Sequence, residues 1–234
     1  MNDLTRVQTL WQLFLSGGFL MWPIVAMSLV VLTFAIERLI ALRRGRFVPR
    51  RLAAGLARLE AESPFDPRKA YRLCTDHPSV AADVVRTMLE RIGRPLPEIE
   101  RAAETAKENA ASQMYANIRP ISLAVTVTPL LGLLGTVQGM IIAFYTTANL
   151  EAGANRAAEL AQGIYVALVT TFAGLCVAIP AAVIAHYLEG RILAGFRRVD
   201  TVVAGVMPQL ERYENKGRVT AAQLAADPAP ARKP

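Results

Sequence analysis

The sequence predicts an all-α integral membrane protein, with three transmembrane helices and long helical extensions on the cytoplasmic side. Three observations carry that class. No charged residue occurs between Arg119 and Glu151, and none between Glu159 and Glu189 apart from the titratable His186. Each gap exceeds the roughly 20 residues that a helix needs to cross a bilayer. A third apolar run, Gly18 to Ile36, reaches about 29 Å as a helix, close to the hydrocarbon thickness. A soluble bundle would have shorter apolar runs and would place charge on the face of each helix turned from the core. Charged residues make up 19% of the 234, less than the quarter expected of a soluble domain.

The basic residues orient the chain. Segment 43–119 holds 15 Lys and Arg, and segment 188–234 holds eight. Segment 1–17 holds only Arg6, and segment 146–163 only Arg156. Basic residues near span ends resist translocation, so the rich segments stay in the cytoplasm. The N-terminus is then periplasmic and the C-terminus cytoplasmic. The net charge of +7 marks the cytoplasmic side and contact with anionic lipid. No aromatic interleaving accompanies it, so it does not indicate nucleic-acid binding.

Each element follows in order. Residues 1–17 read as a periplasmic interfacial helix, amphipathic from Leu4 to Leu15 and ended by Gly17-Gly18. The first span, 18–42, runs from outside to inside, with Trp22 near its start and Arg43, Arg44 and Arg46 beyond its end. It ends in Glu37-Arg38 rather than at a small-residue cleavage site, so it reads as an anchor and not a removable signal. Residues 43–119 read as a cytoplasmic helical domain. Leu52, Leu56 and Leu59 recur at helical spacing. Asp66-Pro67 predicts a helix start, Ser79 caps a helix reaching Ile92, and Gly93-Arg94-Pro95 ends it. From Leu96 a long polar helix runs toward the second span, with kinks expected at Pro120 and Pro129. The second span, 120–145, goes out. A periplasmic connection, 146–163, precedes the third span, 164–188, which returns. Segment 189–234 continues as a helix through about Tyr213 and ends in a Pro- and Ala-rich tail that reads as disordered.

Within the second span Thr128, Gly132, Gly135, Gly139 and Ala143 recur every three to four residues. In the third, Ala167, Thr171, Gly174, Ala178 and Ala181 or Ala182 do the same. Small residues along one face let helix backbones approach closely. Gly132, Gly135, Gly139 and Gly174 are therefore assigned to packing between these spans. The hydroxyls of Thr126, Thr128, Thr136, Thr170 and Thr171, with Gln138, are candidates to line a polar path. The competing reading is a hydroxyl bonded back to its own helix.

Neither span contains Asp, Glu, Lys or Arg. An ion path normally shows an ionisable group inside the membrane. If protons cross here, another chain supplies the titrating group. A self-contained ion channel or transporter is the alternative, and it would need a charged pore residue of its own. Cys74, Cys176, His77 and His186 are isolated, so no metal, cofactor or catalytic constellation is expected.

The string from Pro129 to Ile141, with Gly132, Gly135, Thr136 and Gly139, resembles the signature of the ExbB/TolQ/MotA family. The third span from Ala167 to Ala181 resembles that family's second signature, and Gly17 to Ile24 with Glu37-Arg38 is similar to its first span. Three spans rather than four point to the ExbB/TolQ side. The resemblance implies a homopentamer of long helices around a central pore lined by spans two and three. It also implies an ExbD/TolR-like partner with one membrane helix bearing an aspartate, and a TonB- or TolA-like protein in the periplasm. By position Thr136 and Thr171 match the family's pore threonines. A hydroxyl can donate to an ionised carboxylate or accept from a protonated one. One departure stands out. Some members carry a glutamate about five residues before the match to Thr171, and here that position is Val166, with Glu159 two turns farther out.

Overall fold

The computed structural model describes residues 17–42, 46–62, 64–149 and 155–214. The interfacial helix expected over 4–15 and the tail beyond 214 lie outside them. The described residues form seven helices and no strand. They are α1 (Met21–Ala41), α2 (Arg50–Ala61), α3 (Pro67–Asp76), α4 (Val80–Leu89), α5 (Leu96–Ala116), α6 (Arg119–Ala148) and α7 (Arg156–Glu211). Three of these, α1, α6 and α7, are long and apolar enough to cross a membrane. The chain is a membrane protein.

The helices group into two compact units, Met1–Arg38 with Asn117–Tyr187, and Leu39–Ala116 with Leu188–Pro234. In the first unit most large side chains face outward. Leu29, Leu32 and Ile36 of α1, Leu133 and Ile141 of α6, and Phe172 and Ile179 of α7 are all exposed. In water that surface would drive aggregation, whereas hydrocarbon solvates it.

The second unit has the core of a soluble domain. Leu52, Leu56 and Leu59 of α2 are buried at the spacing that one helix face requires. Val84, Val85, Met88 and Leu89 of α4 are buried, as are Ile99, Ala102 and Ala103 of α5. In α7, Leu188, Ile192, Val199, Val206 and Leu210 are also buried. The caps sit where the sequence places them. Asp66 Oδ1 accepts from the Arg68 amide at 2.9 Å, with Pro67 in the first turn. Ser79 Oγ accepts from the Ala82 amide at 3.2 Å. Each cap satisfies a helix-end donor that would otherwise be orphaned. Gly93 takes φ +84°, a conformation that side chains resist, and it turns the chain between α4 and α5.

Several polar contacts bind α7 to its neighbours within this unit. Arg191 Nη2 donates to the Leu42 carbonyl at 2.7 Å. Lys107 Nζ reaches Asp200 at 2.9 Å and Glu104 at 2.6 Å. The Tyr213 hydroxyl donates to the Phe65 carbonyl. Phe47 meets Phe196 edge-on at 5.8 Å between ring centroids, over the bare backbone of Gly195.

One expectation changes. The long helix from Leu96 does not run into the second span, because α5 ends at Ala116 and α6 begins at Arg119. Pro120 therefore opens a helix instead of kinking one. Its missing N–H costs nothing in a first turn, where the donors have no partner inside the helix. Of the connection 146–163, the residues up to Ala148 belong to α6 and those from Arg156 on to α7.

Candidate functional site

The site is built on the contact between α6 and α7. Thr128, Gly132, Gly135, Gly139 and Ala143 are the residues of α6 buried along it. Gly174 lies against Thr128 and Gly132, Gly132 against Thr171, Gly135 against Thr170, and Gly139 against Ala167. Rising numbers on one helix meet falling numbers on the other, so the pair is antiparallel. The backbones nearly touch. A Cβ added to Gly132 would lie 3.0 Å from the Thr171 Cα. One added to Gly174 would lie 2.8 Å from the Thr128 carbonyl oxygen. Gly163, which sequence reasoning did not single out, packs on Ala143 in the same way. Its signal was available: it lies two helical turns before Thr170, on the same stripe.

The four candidate threonines divide into two pairs. Thr128 and Thr170 are buried in the seam itself, at 0% and 2% exposure. Thr128 Oγ1 donates to the Ala124 carbonyl at 2.6 Å, and Thr170 Oγ1 to the Ala167 carbonyl at 2.7 Å. Thr136 and Thr171 are half-buried at the edge of the seam. Each is one residue past a seam position, Gly135 and Thr170. In an antiparallel pair that step carries both to the same flank.

Their hydroxyls are already donating. Thr136 Oγ1 donates to the Leu133 carbonyl at 2.7 Å. Thr171 Oγ1 donates across the seam to the Gly132 carbonyl at 2.9 Å. Each oxygen keeps its lone pairs. In this arrangement the two side chains can accept a hydrogen bond from a protonated acid. To donate to an ionised one, either must first release a backbone carbonyl.

On the other flank a cleft of about 210 Å³ opens near the Ala148 and Arg156 ends of the helices. Ile142, Thr146, Glu159, Gln162 and Val166 line it. Glu159 is exposed, and its carboxylate makes no hydrogen bond or ion pair among the described residues. Val166 lines the same cleft. Thus Glu159 lies on the flank opposite the Thr136 and Thr171 hydroxyls.

Among the described residues no cluster of His, Cys, Asp or Glu could hold a metal. The two cysteines are free, Cys74 buried and Cys176 exposed. Burial pushes the Cys74 thiol up to about 12, so it stays protonated and unreactive at neutral pH.

Comparison with known proteins shows the family. The profile of the MotA/TolQ/ExbB proton channel family matches residues 77–200, more than half of the chain and the whole of the α6–α7 seam. An ExbB-like biopolymer transport protein of Synechocystis sp. is 32% identical over 173 residues, covering 71% of this chain and 65% of that protein. An ExbB homologue of Methanothermobacter thermautotrophicus is 31% identical over 161 residues, covering 69% of this chain and 56% of that protein. The match spans less than two thirds of either relative's length.

Proposed function

Because the chain belongs to the MotA/TolQ/ExbB proton channel family, we propose that it is the stator subunit of a motor driven by the proton-motive force. It resides in the bacterial inner membrane with its N-terminus periplasmic. Five copies enclose a pore, and spans α6 and α7 line it. An ExbD/TolR-like chain contributes a membrane helix with an aspartate to that pore. Protons pass through the aspartate, and the resulting motion energises a TonB- or TolA-like protein. The process served is transport across the outer membrane or maintenance of the envelope.

One observation carries this reading. Two hydroxyls, Thr136 and Thr171, share a flank of a helix pair that contains no carboxylate, lysine or arginine from 120 to 149 or from 160 to 188. Such a surface can hydrogen-bond a titrating group but cannot be one. The acid therefore comes from another chain, and a hydroxyl that both accepts and donates eases both of its protonation states. Each proton moving down 100 mV delivers about 2.3 kcal/mol, so a few protons suffice for conformational work. Thr128 and Thr170, closed inside the seam, set its geometry.

Native mass spectrometry of the complex, extracted gently from its own membrane, tests the proposal. The expected result is five copies of this chain with a small single-span protein carrying an intramembrane aspartate. An assembly without a partner that still conducts protons in vesicles would instead be a self-contained channel.

A further inference from the structure

A second site lies in the other unit, between α4 and α5. A cleft of about 600 Å³ is lined there by Thr87, Arg91, Glu98, Arg101, Thr105 and Asn109. That volume falls in the range of small-molecule sites. Four of the six residues lie at three- and four-residue spacing along α5, so they share one face. The buried side chains of Ile92 and Ala102 anchor the walls. Arg91 is held in a tight turn, its amide bonded to the Met88 carbonyl at 3.0 Å and its carbonyl accepting from the Arg94 amide at 3.1 Å.

The charges in the cleft do not balance. Every carboxylate that could neutralise Arg91 or Arg101 within a helical turn and is bound at all is bound elsewhere. Glu90 faces Arg86 at 4.0 Å, Glu98 pairs with Arg94 at 3.3 Å, and Glu104 pairs with Lys107 at 2.6 Å. Among the described residues Arg91 and Arg101 form no ion pair. The hydroxyls of Thr87 and Thr105 donate to the Asp83 and Arg101 carbonyls, at 2.8 and 2.9 Å, and so hold fixed positions in the walls. Two unpaired guanidinium groups therefore open onto one pocket whose single carboxylate is already engaged.

We propose that this cleft binds a small phosphate-bearing anion, gripped by Arg91 and Arg101. A guanidinium presents a planar fork of donors that matches phosphate oxygens two at a time. Two forks suit a group carrying two charges better than they suit a lone carboxylate. The site is independent of the seam, and neither its success nor its failure bears on the stator reading.

Isothermal calorimetry of the full-length chain in zwitterionic nanodiscs, titrated with pyrophosphate, tests this. Saturable binding of one anion per chain is expected. Arg91→Gln and Arg101→Gln should each weaken it about tenfold or more, since each removes a charge-assisted bidentate contact. Arg101→Lys, which keeps the charge and loses the fork, should fall between. Arg58→Gln, in α2, removes the same charge from a residue that neither lines the cleft nor pairs with a group lining it, and should leave binding within about threefold of the parent. Circular dichroism checks that each variant is folded. Absence of saturable binding by the parent overturns the proposal. So does an equal loss in Arg58→Gln, which would mean diffuse attraction to a basic surface. Binding of an acidic peptide without pyrophosphate binding also overturns it, and would assign the cleft to a protein partner.

Discussion

Between Thr128 and Ala143 the buried residues of α6 are threonine, glycine and alanine, while the buried residues of α2 and α4 in the other unit include leucine, valine and methionine. The contrast follows from the solvent. Water drives large apolar side chains together, at roughly 25 cal/mol for each Å² removed from it. Lipid tails are as apolar as leucine, so nothing drives leucines together inside a bilayer. What remains is close contact between backbones, and that requires side chains small enough not to intervene. One unit is held by what its residues add, the other by what they leave out.

Substitutions that add and remove atoms should therefore act oppositely in the two units. Gly174→Leu is expected to have the largest effect. Its Cβ alone would lie 2.8 Å from a backbone oxygen that cannot step aside. The seam should open and, with it, the proposed pentamer be lost, read as its absence in size-exclusion chromatography. An intact oligomer would show that the seam tolerates bulk. Leu52→Ala, in a side chain with no exposed surface, should cost about 2–5 kcal/mol. Faster amide exchange across α2 would report it, with the α6–α7 seam preserved.

Thr136→Val and Thr171→Val change little volume. They should abolish proton-driven function while costing no more than about 1.5 kcal/mol in stability, the worth of a single hydrogen bond. Parental activity in both would remove them from the proton path. The smallest effect is expected at Glu60, whose carboxyl burial holds above its ordinary value of 4.5. Its charged form is then costlier in the folded chain than in the unfolded one. Stability from this group is complete below about pH 4.5 and is lost as the pH rises through the raised folded value. Glu60→Gln should raise the thermal midpoint slightly at pH 7 and leave it unchanged at pH 4. A midpoint lowered at pH 7 would mean that the charge is stabilised by a contact.

Much of this was legible before any coordinates. The spans follow from two charge-free runs and a third apolar run, and the seam from a stripe of small residues at helical spacing. Asp66-Pro67 and Ser79 mark helix starts by local chemistry alone. What was not legible depends on a single step along a helix. Thr170 and Thr171 are neighbours in sequence, yet about 100° apart around the axis. That step puts one inside the seam and the other at its edge, and composition does not distinguish them. The same holds for Pro120 and Pro129. The first opens α6 while the second lies within it, and only the position of the helix start separates the two outcomes. The cleft between α4 and α5 was also invisible, because which arginine is left unpaired depends on which carboxylates its neighbours take.

The Gly132 carbonyl has a double duty. It accepts the Thr171 hydroxyl from α7, and as part of a regular helix it also accepts the amide of Thr136, four residues on. One peptide oxygen thus sits between the two threonines, and a change in either hydrogen bond redistributes its electron density. An isotope label on that carbonyl would shift its infrared band away from the rest of the helix. The band would move whenever Thr171 turned to a new acceptor, so a single oscillator would report that exchange of partners in real time.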